Sequence, residues 1–442
     1  MINSKKNIAI LLEFGFHEIK KYIHSGFIDV ISKEFNIVWI ALDKGSEDFD
    51  RYFKNTGFPL VYVNEGDVRS KSSRIEEYNR IIRRNWVTNK EVGAFHNHAK
   101  IKEKSFKTIF FGSTLLKNLI ENLTLSSVSK SYRNDKLRSI FNRYQIDSLF
   151  ITGTSSSFAK YAVMTASDME IPVHYLINSW KDLYVNNFIP FKNLSTIFVW
   201  SERMKSDYLT HMPYLKNTDV IVSGNPTFDV LIDSKPYYDR AYYVNRYGLQ
   251  IGAKWLLYTM MPDGLVSDEI GTILYTASEI KKEFSKEQFM IIIRKNPTHA
   301  QDDFTNIELP DNVVLADHYC SFDKKNDMIV QSKEGEVEWI DLLQHSTLNL
   351  SVPSTVTLEF LTLGKPVLNI AYNEKNQIDH RVDQFFNAGF YLPLFKQNNV
   401  RKIENSEVLI NELKKLDDLL KMSKSEQRNA SQIIVKHLAK IN

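Results

Sequence analysis

Short apolar segments that alternate with helix-compatible segments run through most of the chain and fall into two series. Runs of this kind, rich in valine, isoleucine and leucine, are typical of strands buried on both faces of a parallel sheet. The first series covers residues 7–12, 36–42, 60–63, 148–153, 173–177 and 196–200, and the second covers residues 255–259, 289–294, 313–316, 348–352 and 367–370. Strands that alternate with helices predict right-handed βαβ units. The sequence therefore predicts an α/β chain with two Rossmann-like sheets.

The length of 442 residues favours the same division. Single hydrophobic cores stop growing at about 250–300 residues, so two domains are expected. We expect an N-terminal Rossmann-like domain over residues 1–234, a C-terminal one over residues 250–405, and C-terminal helices over residues 406–442. Residues 235–247 are predicted to link the domains. A polar stretch rich in lysine and arginine, residues 66–143, predicts a helical insert in the first domain.

Composition excludes several classes of protein. With 56 basic and 53 acidic residues, the charge is too balanced for a dedicated nucleic-acid-binding protein. The single cysteine, Cys320, excludes an intrachain disulfide and suits a reducing cytoplasm. The apolar run that follows Lys6 is short and is interrupted by Glu13, so it predicts a first strand rather than a signal peptide. No apolar run approaches the ~20 residues that span a bilayer. We expect a cytoplasmic protein, at most peripheral at the inner face of the plasma membrane.

The segment 348–370 predicts a strand, a turn, a helix and a second strand. Ser354 and Thr355 form the turn, Glu359 lies one helical turn later, and Gly364 ends the helix. The start of a helix offers backbone N–H groups and a positive dipole end, which favour phosphate. Glu359 is then close enough to accept a hydrogen bond from a sugar hydroxyl. An ordinary strand–helix unit, with Ser354 as the N-cap, explains the same residues.

This segment resembles the nucleotide-binding corner of the C-terminal domain in GT-B glycosyltransferases and in the related UDP-GlcNAc 2-epimerases. The resemblance implies that Ser354 and Thr355 hold the phosphates of a nucleotide and that Glu359 binds its ribose. Three further segments are similar to bacterial surface-polysaccharide transferases, including CDP-glycerol glycerophosphotransferase-like proteins: residues 178–182 (NSWKD), 198–205 (FVWSERMK) and 224–229 (GNPTFD). The resemblance implies a GT-B fold, in which two Rossmann-like domains face a cleft.

Two cations follow a predicted strand of the second domain. Arg294 and Lys295 lie at the carboxyl end of this strand, where they would neutralise the diphosphate of a leaving nucleotide. A solvated loop explains them equally well. Bacterial sialyl-, Kdo- and glycerophosphotransferases often have His-Pro at the next two positions, whereas this chain has Asn296 before its proline. This departure weakens the case for a CMP- or CDP-linked donor.

An inverting glycosyl transfer needs a base that takes the proton of the acceptor hydroxyl. In GT-B enzymes this base often follows the first strand of the N-terminal domain, and the resemblance implies that role for His17. An unperturbed histidine pKa of ~6.5 suits a base at neutral pH. Glu13 is the second candidate and Asp182 the third, while a histidine without a catalytic role explains position 17 as well. No Asp-x-Asp element ends a strand, and GT-B enzymes generally work without a metal, so we expect no metal and no other cofactor.

The resemblance implies a glycosyltransferase; the candidate base His17 favours inversion, and retention is the alternative. Such an enzyme would move a sugar from a nucleotide-sugar donor to a saccharide or polyprenyl-linked acceptor in the synthesis of capsule or O-antigen. The alternatives are a UDP-GlcNAc 2-epimerase-type isomerase, a CMP-Kdo, CMP-sialic acid or CDP-polyol-phosphate transferase, and a non-catalytic module of an assembly complex. The acids and the histidine that an isomerase needs around one sugar carbon cannot be assembled from these loops.

The basic insert has two interpretations of its own. Cations interleaved with aromatic residues between positions 69 and 107 suit a membrane surface or a polyprenyl-diphosphate acceptor. A solvated helical face is the other interpretation, since acids are mixed in. The cations are Lys71, Arg74, Arg80, Arg83, Arg84, Lys90, Lys100, Lys102 and Lys104.

Overall fold

The computed structural model describes residues 5–13, 18–43, 47–68, 73–89, 111–154, 156–185, 189–233, 235–262, 264–296, 304–317, 319–323, 328–421 and 429–441. The chain divides into two compact units. The first comprises Met1–Val230 with Arg428–Asn442, and the second comprises Leu231–Gln427. Each unit is built around one parallel sheet of buried apolar strands.

The first unit contains seven parallel strands in the order β3-β2-β1-β4-β5-β6-β7. The strands are β1 Lys6–Leu12, β2 Phe35–Asp43, β3 Leu60–Asn64, β4 Ser148–Ile151, β5 Val173–Leu176, β6 Thr196–Val199 and β7 Asp219–Val222. The first six confirm the strands that the apolar runs predict. The direction of strand order reverses between β1 and β4. The carboxyl ends of these two strands therefore form a topological switch point, where open α/β sheets bind ligands.

Helices connect these strands. They are α1 Phe27–Ile31, α2 Glu47–Lys54, α3 Glu65–Val68, α4 Arg74–Asn89, α5 Thr114–Ser131, α6 Asp135–Arg143, α7 Ser157–Asp168, α8 Glu202–His211 and α9 Asp229–Asp233. A π-helical turn, Ile19–His24, precedes α1, and Gly26 separates the two with a φ of 75°. Shorter 3₁₀ turns cover Asp182–Val185, Pro213–Leu215 and Pro226–Phe228. The predicted helical character of the insert is confirmed by α3 to α6.

The second unit contains six parallel strands in the order β10-β9-β8-β13-β14-β15 and a separate antiparallel hairpin of β11 and β12. The strands are β8 Lys254–Thr259, β9 Phe289–Arg294, β10 Val313–Leu315, β11 Cys320–Asp323, β12 Met328–Gln331, β13 Leu348–Ser351, β14 Val367–Ile370 and β15 Val400–Ile403. The strands β11, β12 and β15 were not predicted. Here the strand order reverses between β8 and β13, which gives the second unit its own switch point.

The helices of the second unit are α10 Arg240–Tyr247, α11 Glu269–Glu283, α12 Lys333–His345, α13 Val356–Thr362, α14 His380–Phe386, α15 Ser406–Lys414 and α16 Leu416–Lys421, with a 3₁₀ turn at Leu392–Lys396. One face of the sheet packs with α11, α15 and α16 in a continuous apolar core that includes Leu256, Ile280, Ile291, Leu350 and Leu413.

The stretch that the sequence suggests as the link is an integral part of the second unit. The buried carboxylate of Asp341, on α12, accepts hydrogen bonds from the backbone N–H groups of Tyr237 at 2.6 Å and Tyr238 at 2.9 Å. It also accepts one from the Tyr243 hydroxyl at 2.8 Å. Three donors to one buried carboxylate hold α10 against α12, so these residues form a packed element instead of an extended connection.

The last helix, α17 Ala430–Ile441, belongs to the first unit. The carboxylate of Asp229 accepts hydrogen bonds from the backbone N–H groups of Ala430 at 2.8 Å and Ser431 at 2.7 Å, and from the Ser431 hydroxyl at 2.5 Å. A buried carboxylate at the N-terminus of a helix satisfies N–H groups that have no partner within the helix. The predicted C-terminal helical stretch is therefore shared between the two units.

Part of the charge in the basic insert is buried. Glu121 on α5 contacts Arg83 on α4, and it lies 2.7 Å from Lys117 Nζ, which also donates to the His211 carbonyl at 2.8 Å. Arg83, Lys117 and Glu121 are at most 1% exposed. For Arg83 the interpretation as a solvated charge is therefore wrong. Lys71, Lys90, Lys100, Lys102 and Lys104 lie outside the described residues.

Candidate functional site

The switch point of the second unit brings several predicted residues to one edge. The strand register aligns Arg294 at the end of β9, Thr259 at the end of β8, Ser351 at the end of β13 and Asn369 on β14. The connections from β8 and from β13 run to opposite sides of the sheet, because β8 leads to β9 and β13 leads to β14. Such a divergence leaves a crevice at the carboxyl edge in which α/β proteins bind nucleotides.

Buried polar side chains fix the two central strands beneath this edge. The Asn349 side-chain amide donates to the Leu257 carbonyl at 2.7 Å and to the Thr259 hydroxyl at 3.2 Å. The Ser351 hydroxyl in turn donates to the side-chain Oδ1 atom of Asn349 at 2.6 Å. These bonds connect β13 to β8 at side-chain level as well as through the backbone. The edge is therefore rigid where a ligand would contact it.

Tyr391 stabilises the turn after β13 through hydrogen bonds. Its hydroxyl donates to the Asn369 side chain at 3.1 Å, shares a hydrogen bond of 2.5 Å with the Thr357 hydroxyl, and is hydrogen-bonded by the Ser354 backbone. Burial raises the pKa of Tyr391, so the phenol stays protonated. The Ser354 backbone thus already has a partner within the protein. The Ser354 side-chain hydroxyl oxygen is buried and has no hydrogen-bond partner among the described residues.

The helix that follows begins differently from the expectation and ends at Gly364 as expected. The N-cap position is Thr355, not Ser354, and its side chain makes no capping hydrogen bond. The helix α13 has seven residues, and Gly364 ends it at a φ of 67°. Two turns carry only a small dipole, so the charged side chains around the turn are more important for anion binding than the helix end itself. The phosphate role of Ser354 and Thr355 stays a prediction.

Glu359 lies on the first turn of α13, as predicted, and is 5% exposed. The indole N–H of Trp339, on α12, donates to its Oε1 atom at 3.4 Å. This contact fixes one carboxylate oxygen. Trp339 was not among the predicted site residues, since nothing in the sequence connects α12 with α13. The ribose role of Glu359 stays a prediction.

Arg294 and Lys295 are buried, at 6% and 5% exposure, so the interpretation as a solvated loop is wrong. The Arg294 guanidinium donates to the Asp317 carbonyl and lies 3.7 Å from the Glu338 carboxylate. Burial raises the pKa of Glu338, and the positive charge of Arg294 partly offsets this shift. Glu338 also accepts a hydrogen bond from Tyr247. Arg294 is therefore anchored within the second unit, and its contact with a diphosphate stays a prediction.

A second group of predicted residues meets at the switch point of the first unit. Glu13 directly follows β1, and its carboxylate accepts a hydrogen bond from the Ser156 hydroxyl just after β4. Its backbone N–H donates to the buried carboxylate of Glu18. Both acids therefore lie at the carboxyl ends of the two strands between which the order reverses.

A buried lysine completes this cluster. Lys21 is 1% exposed and donates to the Asn178 side chain at 2.6 Å. Burial lowers the pKa of Lys21 to about 8, and the charges of Glu18 and Asp182 oppose the shift. Asp182 is buried and accepts a hydrogen bond from the Ser179 backbone at 3.1 Å.

Glu13 and Asp182 both influence one buried side chain of the first sheet. The carboxylates of both raise the pKa of the buried Tyr175 hydroxyl on β5, although burial itself is the larger cause. Glu13 is hydrogen-bonded to Glu18, and the charges of Glu18 and Asp182 both act on Lys21. The sequence analysis did not identify Glu18 and Lys21. His17, the first candidate, lies outside the described residues. In the described part of the chain, no group of three or more His, Cys, Asp or Glu residues is arranged to hold a metal ion.

Solved structures with the same architecture establish the fold. UDP-GlcNAc 2-epimerase from Neisseria meningitidis, bound to UDP-GlcNAc, matches 98% of this chain and 100% of its own, with 16% identity and a TM-score of 0.57. The epimerase from Methanocaldococcus jannaschii matches 99% and 100% of the two chains, with 14% identity and a TM-score of 0.54. The glycotransferase of kitacinnamycin matches 99% and 98%, with 10% identity and a TM-score of 0.50.

The chain has the GT-B fold. The expectation of a GT-B fold with two Rossmann-like sheets is therefore confirmed. No protein-family model and no curated protein matches the sequence. At these identities the GT-B likeness establishes the fold and leaves the reaction to be argued from the residues.

Proposed function

We propose that this chain is an enzyme that acts on a nucleotide-activated sugar, and more narrowly a glycosyltransferase that transfers the sugar to a saccharide or lipid-linked acceptor in surface-polysaccharide synthesis. The observation that carries the proposal is the carboxyl edge of the second sheet. There a buried carboxylate, Glu359, and buried cations, Arg294 and Lys295, lie on two sides of the switch point. The solved structures with this fold include enzymes bound to UDP-GlcNAc, which supports the same class of ligand.

The roles follow from charge and position. A nucleoside diphosphate carries negative charge on its phosphates and hydroxyl donors on its ribose. Lys295 and the Ser354 hydroxyl would bind the phosphates directly. Arg294 would add positive potential at the site without contacting the phosphates. Glu359 would accept hydrogen bonds from the ribose hydroxyls. A leaving diphosphate stabilised in this way lowers the barrier to cleavage of the glycosidic bond.

Transfer also requires a base. Glu13, Asp182 and His17 are the candidates, and Glu13 and Asp182 belong to the cluster at the switch point of the first sheet. Lys21 would help to keep a neighbouring carboxylate ionised, because its positive charge favours the negative form. No metal or other cofactor is part of this proposal.

An isomerase of the UDP-GlcNAc 2-epimerase type is the second candidate. The cluster of Glu13, Glu18, Lys21 and Asp182 favours it, because epimerisation at a sugar carbon needs groups that remove and return protons in one place. The sequence analysis asked for several acids and a histidine, and this cluster offers three acids and a lysine. Five of the solved structures with this fold carry the name UDP-GlcNAc 2-epimerase.

The two candidates differ in what they do to the donor alone. The protein is incubated with UDP-GlcNAc in D₂O and followed by proton NMR, with Asp182→Asn and Glu13→Gln as companion variants. A transferase leaves the sugar nucleotide as a single compound with its carbon-bound protons intact, and releases UDP only when acceptor glycolipid is added. A second sugar nucleotide with deuterium on a ring carbon, formed without acceptor, would contradict the transferase and establish the isomerase.

A further inference from the structure

Helix α5 carries apolar side chains on two opposite faces. Leu125 and Val128 point inward and are at most 2% exposed. Leu115, Leu119 and Leu123 repeat at intervals of four residues, so they form one stripe on the other side of the helix. Their side chains are 84%, 57% and 49% exposed. A surface helix normally presents polar residues to water, and a helix with apolar residues on both faces is expected to be covered on both.

The leucine stripe, Leu115, Leu119 and Leu123, is accompanied by exposed apolar side chains on the helix that packs beside it. The neighbouring helix α4 packs on α5 through the buried Arg83–Glu121 pair and exposes Tyr78 at 58% and Ile81 at 51%. Among the described residues, half of the large apolar side chains that are exposed lie between residues 78 and 123. Single exposed apolar residues are normal, whereas this concentration marks an interaction surface.

The exposed charge on the two helices that carry the leucine stripe and its neighbours is mainly positive. Helix α5 contains a single carboxylate, Glu121, and this is buried between Arg83 and Lys117. Its outward face therefore consists of leucines, small polar residues and Lys130. The exposed charged residues of α4 are three cations and one acid: Arg74, Glu77, Arg80 and Arg84. An apolar stripe beside a mainly cationic helix is complementary to a surface with an apolar interior and an anionic outer layer.

We propose that the leucine stripe, with the adjacent surface of α4, docks the protein on a bilayer that contains anionic lipids. The leucines would enter the boundary between headgroups and acyl chains, and the arginines of α4 would lie at headgroup level. A second copy of the chain is a poorer occupant. A two-fold contact through this surface would bring the cations of one copy against those of the other.

The contact would be peripheral. None of the helices in the described part of the chain has the length and apolar character needed to cross a bilayer. The proposal also differs from the sequence-based one, which relied on cations between residues 69 and 107. In the present proposal the apolar side chains belong to α5, which begins after residue 107. Arg83 and Lys117 take no part in it, because both are buried in ion pairs with Glu121. The inference rests on this surface alone and does not depend on the reaction proposed above.

Sedimentation with vesicles tests the proposal. The full chain is mixed with sucrose-loaded vesicles of phosphatidylcholine containing one third phosphatidylglycerol, and in parallel with vesicles of phosphatidylcholine alone. The test variant combines Leu115→Ser, Leu119→Ser and Leu123→Ser. The matched control combines Ile251→Ser and Leu392→Ser, which remove side chains of comparable exposure, 60% and 47%, from the second unit. Thermal melting checks that both variants fold, and light scattering after gel filtration gives the molar mass of each.

We expect the natural chain to bind the anionic vesicles better than the neutral ones. The triple variant should lose roughly tenfold or more of its partition coefficient, since the burial of three leucine side chains is lost. The control should bind like the natural chain. Absence of binding to anionic vesicles would overturn the proposal, as would equal binding by the triple variant. A dimer that the triple variant converts to a monomer would assign the surface to a second copy instead.

Discussion

His174 makes the stability of the first unit depend on pH in a way that can be calculated. It lies on β5, is fully buried, and neither of its ring nitrogens has a hydrogen-bond partner among the described residues. Burial lowers the pKa of His174 from 6.5 to about 4, and the nearby His437 contributes to the shift. His437 itself lies 3.2 Å from the Asp219 carboxylate. The folded protein therefore keeps the ring neutral at pH values where the unfolded chain protonates it.

The direction of the effect follows from proton linkage. Above pH 6.5 the ring is neutral in both states and has no effect on the pH dependence. Between pH 6.5 and 4 the unfolded chain binds a proton that the folded chain does not, so the free energy of unfolding falls as the pH falls. At 1.36 kcal/mol per pKa unit the limit is about 3.4 kcal/mol, of which about 2 kcal/mol is lost at pH 5.

The contribution of His174 to the free energy of unfolding can be measured by urea unfolding of the natural chain and of His174→Leu at pH 7.5 and pH 5. Leucine is close to histidine in volume and cannot be protonated, so the variant retains the packing and removes the titration. The natural chain should lose about 2 kcal/mol more than the variant between the two pH values. Groups elsewhere titrate equally in both proteins and cancel in the comparison. Parallel losses in the two proteins would refute the argument that His174 is buried in its neutral form.

Two further predictions concern buried carboxylates. Glu121→Gln removes the carboxylate charge that Arg83 and Lys117 share in a buried position, so the free energy of unfolding should fall by about 3–5 kcal/mol in urea titrations. Glu77→Gln, at an exposed position of α4, should change it by less than about 0.5 kcal/mol. Similar values for both variants would contradict the ion cluster. Asp229→Ala removes the acceptor for Ala430 and Ser431, so trypsin should cleave within α17 faster than in the natural chain, at a stability loss of about 2 kcal/mol. Unchanged cleavage would show that the Asp229 contacts do not hold α17.

The parallel sheets could be predicted because their strands are buried on both faces. A strand such as Phe289–Arg294 is apolar over its whole length until its last residue, and this pattern needs no knowledge of partners. The edge strand β15 was missed because its two central residues, Arg401 and Lys402, are polar and only partly buried. The hairpin of β11 and β12 was missed because its sequence mixes polar and apolar residues without a regular period.

The burial of charged side chains is the part of the fold that could not be predicted from the sequence. Arg83 looks like any other cation of a helical insert, and the rule that arginines are exposed assigns it to the surface. Its partner Glu121 lies 38 positions away on another helix. Only tertiary packing brings the two together. The same packing leaves the leucine stripe on the outside of α5, where periodicity alone would place it in a core.

The sequence alone could suggest where the candidate site lies, but it could not identify the residues that hold the site residues in place. The order of strand, turn and helix identifies Ser354, Thr355 and Glu359 from local sequence. Tyr391, which holds the turn, is 34 residues from Thr357, and Trp339 belongs to an element before the strand. No local pattern connects these residues. The cluster of Glu18 and Lys21 was overlooked for the opposite reason, since an acid and a lysine three residues apart are ordinary on a helical segment.

The most direct test of the central proposal, a nucleotide-sugar site in the second unit, is calorimetric titration with UDP, CMP, CDP, GDP and dTDP. The proteins compared are the natural chain, Glu359→Ala and Glu334→Ala, the last at an exposed position of α12. The account predicts that one nucleotide binds, that Glu359→Ala weakens it by about 1–3 kcal/mol, and that Glu334→Ala leaves it unchanged. Binding of none of the five nucleotides, or equal affinity in Glu359→Ala and the natural chain, would contradict it.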